Sequence, residues 1–124
     1  MATALYKLGI DIGSTKVKIA ILDDKDNLIF SDYKRHFANI QETLSDLLHK
    51  AFDETGEIMV SPMITGSGGL TLAKHLDIDF VQEVIAVSTS LTHYAPQTDV
   101  AIELGGEDAK IIYFENGNVE QRMN

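Results

Sequence analysis

Asp11, Gly13, Ser14, Thr15 and Lys16 fall close together in GIDIGSTKVKIAIL, residues 9–22. A glycine turn with two hydroxyls, a cation and a nearby carboxylate has the side-chain types that hold a phosphate and its metal ion. Glycine lets the backbone approach a ligand closely, and successive N–H groups in a turn form a concavity for an anion. The same residues also read as a plain tight hairpin, with Asp11 on a solvated sheet face and Lys16 in water. One loop does not choose between the two readings.

A second stretch repeats the first. LGIDIGSTKVKIAILDDKD, residues 8–26, lies over VAIELGGEDAKIIYFENGN, residues 100–118, without a gap. Ile10 meets Ile102, Asp11 meets Glu103, Gly13 meets Gly105, Lys18 meets Lys110 and Ile19 meets Ile111. Each copy is a strand with an acid two residues before a glycine, a small or polar turn, and another strand. Two such turns can clasp a polyphosphate from both sides, with Gly105 and Gly106 forming the second loop. Asp11 and Glu103 then stand near phosphates of like charge. At ~4 Å and an effective dielectric near 20, one such pair costs about 4 kcal/mol. A cation between them removes the conflict, and Mg²⁺ suits it, because it takes phosphate oxygens, waters and one or two carboxylates. Two ordinary hairpins with solvated acids remain the alternative.

The rest of the composition bounds the setting. The chain has 124 residues and 44% hydrophobic content, so one globular domain over 1–124 is expected. Its formal net charge is −9, which argues against a basic face for nucleic acid. A nucleotide is not excluded, because backbone N–H groups and a bound Mg²⁺ can replace a basic patch. There is no cysteine, hence no disulfide framework and no thiolate metal site within these residues. MATALYKLG lacks the apolar run of a signal peptide, and no stretch approaches the ~18 apolar residues of a membrane span. A cytoplasmic location with no membrane contact is the expectation.

The elements that position these groups follow from periodicity. Residues 5–12 and 16–22 read as strands, the second alternating strictly through Val17, Ile19 and Ile21. Lys25-Asp26-Asn27 reads as a turn, and Leu28 to about Lys34 as a third strand, completing an antiparallel meander. Ile40, Leu44, Leu47, Leu48 and Ala51 form one helical stripe. Asn39 is expected to cap that helix, with Glu42 near a capping-box position, and Gly56 to end it. Residues 57–65 form a short apolar run into Gly66-Ser67-Gly68-Gly69, and Pro62 predicts an edge or irregular strand there. Residues 70–75 read as a short helix, and 80–94 as a longer one ended by Pro96. Two strands, 100–104 and 109–114, flank the second glycine turn, and Asn116-Gly117 starts a further hairpin. The result is an α/β fold with a mixed sheet. His36, His49, His75 and His93 show no ligand spacing and read as surface or core residues. The Gly66–Gly69 loop reads as a structural turn or as a loop that approaches a nucleotide or a partner, and Glu83 as an acid at a helix start or a partner-facing group.

At this point the chain resembles a known group. The first loop resembles the first phosphate motif of the actin and sugar-kinase superfamily, and VAIELGGEDAKIIYF resembles its second. The finer resemblance is to the BadF/BadG/BcrA/BcrD-type ATPases that activate 2-hydroxyacyl-CoA dehydratases and serve benzoyl-CoA reductases. It is carried by LGIDIGSTKVKIAILD at 8–23, ITGSGG at 64–69, FVQEVIA at 80–86 and QTDVAIELGGEDAKIIYFENGNVEQRMN at 97–124. The resemblance implies a ribonuclease H-like, actin-like ATPase subdomain: a mixed five-stranded sheet with flanking helices. It implies Mg²⁺ with ATP or ADP as ligand, held by Gly13, Ser14, Thr15, Lys16, Gly105 and Gly106. Asp11 and Glu103 face the metal, and Glu103, Glu107 and Asp108 are the acids nearest the terminal phosphate. It further implies a homodimeric parent that carries a shared [4Fe–4S] cluster and drives one electron to a partner dehydratase. The family's cluster cysteines follow a segment like EQRMN, so these residues are expected to form the part that precedes the cluster. Alone they are expected to hold no cluster, to form no dimer of the family type and to hydrolyse ATP poorly or not at all.

Some residues depart from the family pattern. Shorter members carry Asp-Ile-Gly-Gly-Gln-Asp at the second motif, where this chain has Glu103-Leu104-Gly105-Gly106-Glu107-Asp108. Glu103 keeps the charge on a longer arm, and Glu107 adds an anion where a water-positioning amide is common. Lys16 stands where threonine is usual. Two other functions share the superfold: a sugar- or acetate-kinase-like ATPase, and a regulatory module that has lost the chemistry. Fold alone does not separate them, whereas FVQEVIA and the QRMN ending favour the activator.

Overall fold

A computed structural model describes residues 4–104, 109–115 and 118–123. The chain divides after Phe80 into two compact units. The first holds β1 (Leu5–Ile12), β2 (Lys16–Leu22), β3 (Leu28–Arg35), α1 (Ile40–Thr55), β4 (Met59–Thr65), α2 (Gly69–Leu76) and β5 (Asp79–Phe80). The second holds α3 (Glu83–Tyr94), β6 (Val100–Leu104), β7 (Ala109–Glu115) and β8 (Asn118–Met123).

In the first unit the strand order is β3-β2-β1-β4-β5. The β1-β2-β3 meander is antiparallel, while β4 runs parallel to both β1 and β5. Alternation in the sequence becomes sidedness in the sheet. Leu8, Ile10 and Ile12 of β1 and Val17, Ile19 and Ile21 of β2 are all buried on one face, joined by Phe30 and Ile64. Against that face pack Leu44, Leu47 and Ala51 of α1 and Leu72 and Ala73 of α2. Ile12 and Ile64 are fully enclosed, and each such side chain contributes roughly 1.5–3 kcal/mol by leaving water. The α1 stripe is thus core, as its spacing predicts, with Ile40 and Leu48 half-buried at its margin.

Three local expectations are corrected. β4 is not an edge strand: it lies between β1 and β5. Pro62 is accommodated because β5 reaches only Met63 and Ile64, leaving Pro62 outside that ladder. Asn39 makes no side-chain cap to α1. Its carbonyl accepts from the Thr43 N–H and hydroxyl instead, and its own N–H donates to His36 O at 2.7 Å. The third helix starts at Glu83, because Phe80 joins β5 beside Ile64. Gly56 does end α1, at φ 78° with its N–H on Phe52 O.

In the second unit β6-β7-β8 form a three-stranded antiparallel meander. The sequence echo holds at the level of register. In the first hairpin Ile10 faces Ile19 and Asp11 faces Lys18. In the second, Ile102 faces Ile111 and Glu103 faces Lys110. The two hairpins therefore share one pairing scheme, an acid opposite a lysine, and in the sequence a glycine follows each acid by two residues.

Candidate functional site

β1 and β4 are parallel neighbours, so their carboxyl ends emerge together. This end of an open α/β sheet is where ligands bind. Asp11 and Thr65 are register partners there, with Lys18 opposite Asp11 on the other side. Beyond them run two loops, Gly13–Thr15 and Gly66–Gly68.

The first loop is not an ordinary two-residue hairpin. Favoured hairpin turns need positive φ at their central residues, and neither Ser14 nor Thr15 adopts it. Gly13 N–H donates to Lys16 O at 2.9 Å. The Gly13 carbonyl lies 3.0 Å from His36 Nε2, and the Thr15 carbonyl accepts the His36 N–H at 3.0 Å. His36 is buried, with 8% of its surface exposed. Its other ring nitrogen, Nδ1, accepts the Ala38 N–H at 3.0 Å. Phe37 and Ala38 both take left-handed conformations, φ 47° and 67°, at about 1–2 kcal/mol each. Strain of this kind persists where surrounding contacts over-determine it.

The second loop closes over β1. Gly68 N–H donates to Ile12 O at 2.9 Å. Gly66 has φ 102°, and a Cβ there would overlap Ile12 O and Asp11 Oδ1. The backbone of this loop therefore lies directly against the Asp11 carboxylate, and only glycine permits that approach. Beside it, Thr65 Oγ1 is buried without a hydrogen-bond partner. A buried orphan hydroxyl costs ~1–3 kcal/mol, and retained orphans mark strain, chemistry or an absent ligand or water.

Several residues expected from the sequence are brought together. Asp11 is the last residue but one of β1 and half-buried, and Gly13, Ser14 and Thr15 form the adjoining loop. Ser14 and Thr15 hydroxyls lie 3.4 Å apart. Lys16 is exposed, and its Nζ stands 5.1 Å from the centre of the Tyr33 ring. Glu103 is in β6 of the second unit. Gly105, Gly106, Glu107 and Asp108 lie outside the described residues. His36 and Thr65 are additions that motif reading missed as part of the site, whereas Gly66 belongs to the loop that reads either as a structural turn or as one approaching a nucleotide. The signal for His36 was indirect: a β2-β3 hairpin returns the chain from residue 35 to residue 16. A separate cavity of about 400 Å³ lies between α1 and α2, lined by Leu44, Leu48, Phe52, Leu72 and Leu76 among others. None of the loop residues lines it. Among the described residues no cluster of three metal-ligating side chains occurs, and no helix is long and apolar enough to cross a membrane.

Comparison with known proteins gives a consistent result. Residues 8–123 match the BadF/BadG/BcrA/BcrD ATPase family. The chain is 28% identical over 116 residues to the 2-hydroxyisocaproyl-CoA dehydratase activator of Clostridioides difficile, covering 90% of this chain and 42% of that protein. It is 28% identical over 119 residues to the (R)-2-hydroxyglutaryl-CoA dehydratase activating ATPase of Acidaminococcus fermentans, covering 94% and 45%. The crystal structure of the Acidaminococcus fermentans (R)-2-hydroxyglutaryl-CoA dehydratase component A superposes with a TM-score of 0.76 and 25% identity. It covers 97% of this chain and 48% of that one. The Clostridium difficile activator of 2-hydroxyisocaproyl-CoA dehydratase, solved with bound ADPNP, gives 0.74 and 23%, over 96% and 46%. The chain thus spans about half the length of the relatives it matches, and the expected actin-like α/β fold is the one they share.

Proposed function

Because the chain belongs to the BadF/BadG/BcrA/BcrD ATPase family, we propose that it supplies the phosphate-gripping part of an ATP-dependent activator of a 2-hydroxyacyl-CoA dehydratase. The observation that carries this is the shared register of the two hairpins, Asp11 opposite Lys18 and Glu103 opposite Lys110, in a chain similar to activators of that name. The ADPNP in one structural relative supports a nucleoside triphosphate as ligand.

The first loop fits Mg²⁺·ATP. Its N–H groups at Ser14 and Thr15 have no acceptor among the described residues, and two of its three carbonyls, those of Gly13 and Thr15, meet His36. Asp11 and the orphan Thr65 hydroxyl sit on neighbouring strand ends beside it. In the proposal Gly13, Ser14, Thr15 and Lys16 hold the phosphates, and Asp11 holds metal-bound water. Mg²⁺ neutralises phosphate charge and orients the transferred group. Glu103, Gly105, Gly106, Glu107 and Asp108 complete the clasp from the second hairpin, with the acids placing the attacking water. Phosphoryl transfer asks mainly for positioning and charge neutralisation, so no single strong base is required. An iron–sulfur cluster does not fit these residues, since the chain has no cysteine and thiolate is the usual ligand. The proposal places the cluster, the dimer contact and the electron delivery elsewhere in a cytoplasmic protein of the relatives' length.

The test is calorimetric titration of a protein of that length, purified anaerobically, with Mg²⁺·ADPNP and with EDTA present. Metal-dependent binding with about four irons per dimer is expected. Binding without iron leaves a kinase-like ATPase and overturns the activator reading. No nucleotide binding overturns both.

A further inference from the structure

We propose that His36 is the positioning residue of the first loop: it replaces the hydrogen bond that would close the Gly13–Lys16 hairpin and thereby holds the loop open for a phosphate. The inference rests on the phosphate reading of that loop and assigns it a support that no motif contains.

The hydrogen-bond inventory of the loop is the argument. A two-residue hairpin is closed by a reciprocal pair between its flanking residues. Here one member is made, Gly13 N–H to Lys16 O at 2.9 Å. The other, Lys16 N–H to Gly13 O, is absent, and the Gly13 carbonyl faces His36 Nε2 at 3.0 Å instead. The direction of that bond is fixed on the opposite side of the ring. The Ala38 N–H can only donate, so Nδ1 is the acceptor nitrogen, and in a neutral imidazole Nε2 then carries the hydrogen. The left-handed pair Phe37 and Ala38 is what turns the Ala38 N–H onto the ring.

The His36 main chain does the remaining work, donating to Thr15 O at 3.0 Å. One buried residue therefore occupies two carbonyls of the loop, leaving the Ser14 and Thr15 N–H groups without protein acceptors among the described residues. A loop with two carbonyls tied back and two adjacent N–H groups unpaired is preorganised for an anion. Without the ring, Gly13 O is free to take the Lys16 N–H, and the loop relaxes toward a closed hairpin.

The probe is inorganic tripolyphosphate with Mg²⁺, added to the ¹⁵N-labelled 124-residue chain while the Ser14 and Thr15 amide signals are followed. Long-range ¹H–¹⁵N spectra of the imidazole give the tautomer directly. The wild type should show saturable shifts at both amides and a hydrogen on Nε2. His36→Phe, which keeps a ring but makes neither bond, should weaken binding about tenfold. His36→Gln, which restores a donor toward Gly13 O, should recover most of that loss, although both variants shift the melting temperature similarly. Wild-type affinity in His36→Phe, or no recovery in His36→Gln, overturns the role of His36 while leaving the phosphate loop standing. A hydrogen on Nδ1 does the same without any ligand and decides the matter if His36→Phe does not fold. Absence of shifts in the wild type overturns the phosphate reading, and this inference with it.

Discussion

Gly66 and Thr65 show how closely the two loops are fitted to Asp11. A methyl group at Gly66 would run into Ile12 O and Asp11 Oδ1, at a φ of 102° that side chains rarely adopt. Gly66→Ala is expected to cost about 2–3 kcal/mol in thermal unfolding; a variant as stable as the wild type would mean that the loop stands off the carboxylate. Thr65 carries the opposite expectation. Its hydroxyl is buried without a partner, so Thr65→Val should leave stability unchanged or raise it by ~1 kcal/mol. Under the proposed function the same change should weaken Mg²⁺·ADPNP binding, because the hydroxyl meets the ligand shell. A substitution that improves folding and harms binding is the mark of a polar group kept for function.

Helix α1 is held by an apolar stripe and framed by two ion pairs to β3. Leu47 is 3% exposed within the stripe, and Leu47→Ala should destabilise by about 2–5 kcal/mol in urea denaturation. Lys50 lies 2.6 Å from Asp32, and Lys34 lies 2.8 Å from Asp46. The Lys50 hydrogen bond, with the Tyr33 N–H second, holds the Asp32 carboxyl below its ordinary range. Asp32 and Asp46 in turn hold Lys50 and Lys34 above theirs. A lowered carboxyl contributes stability that is present above its unfolded value and lost as pH falls through the folded one. A raised lysine contributes below its unfolded value and loses that contribution as pH rises through the folded one. These pairs are exposed, so both effects are small. Asp32→Asn should flatten the loss of stability below about pH 4, read as denaturation midpoints from about pH 6 downward; an unchanged acid limb would exclude the pair as its source.

The whole chain carries two copies of one device in two units. Each hairpin sets an acid opposite a lysine, two residues ahead of a glycine in the sequence, and the proposed function needs both copies on one nucleotide. Asp11→Asn and Glu103→Gln, each made in a protein of the relatives' length, should both reduce Mg²⁺-dependent ATP hydrolysis at least tenfold. This corresponds to about 1.4 kcal/mol or more of transition-state stabilisation for each acid. Loss with Asp11→Asn alone would confine the chemistry to the first hairpin and remove the clasp.

What the sequence determined by itself is what depends on near neighbours. Strict alternation places Val17, Ile19 and Ile21 on one face, the stripe from Ile40 to Ala51 makes α1 amphipathic, and the ungapped echo aligns two hairpins. The absence of cysteine excludes a thiolate cluster within these residues. Each of these follows from local period or composition, which the sequence states outright. Pairing across strands is a different kind of information, since it joins residues far apart in the chain. Only the tertiary structure put β4 beside β1, placing Thr65 and Gly66 against Asp11 and making an interior strand of a segment whose proline reads as an edge. Only the return of β3 along β2 brought His36 to the Gly13 carbonyl. In the same turn Asn39 makes no side-chain cap to α1, and its N–H goes to His36 O. A motif lists the groups that touch a ligand, whereas the groups that hold them in place are chosen by the packing of distant segments.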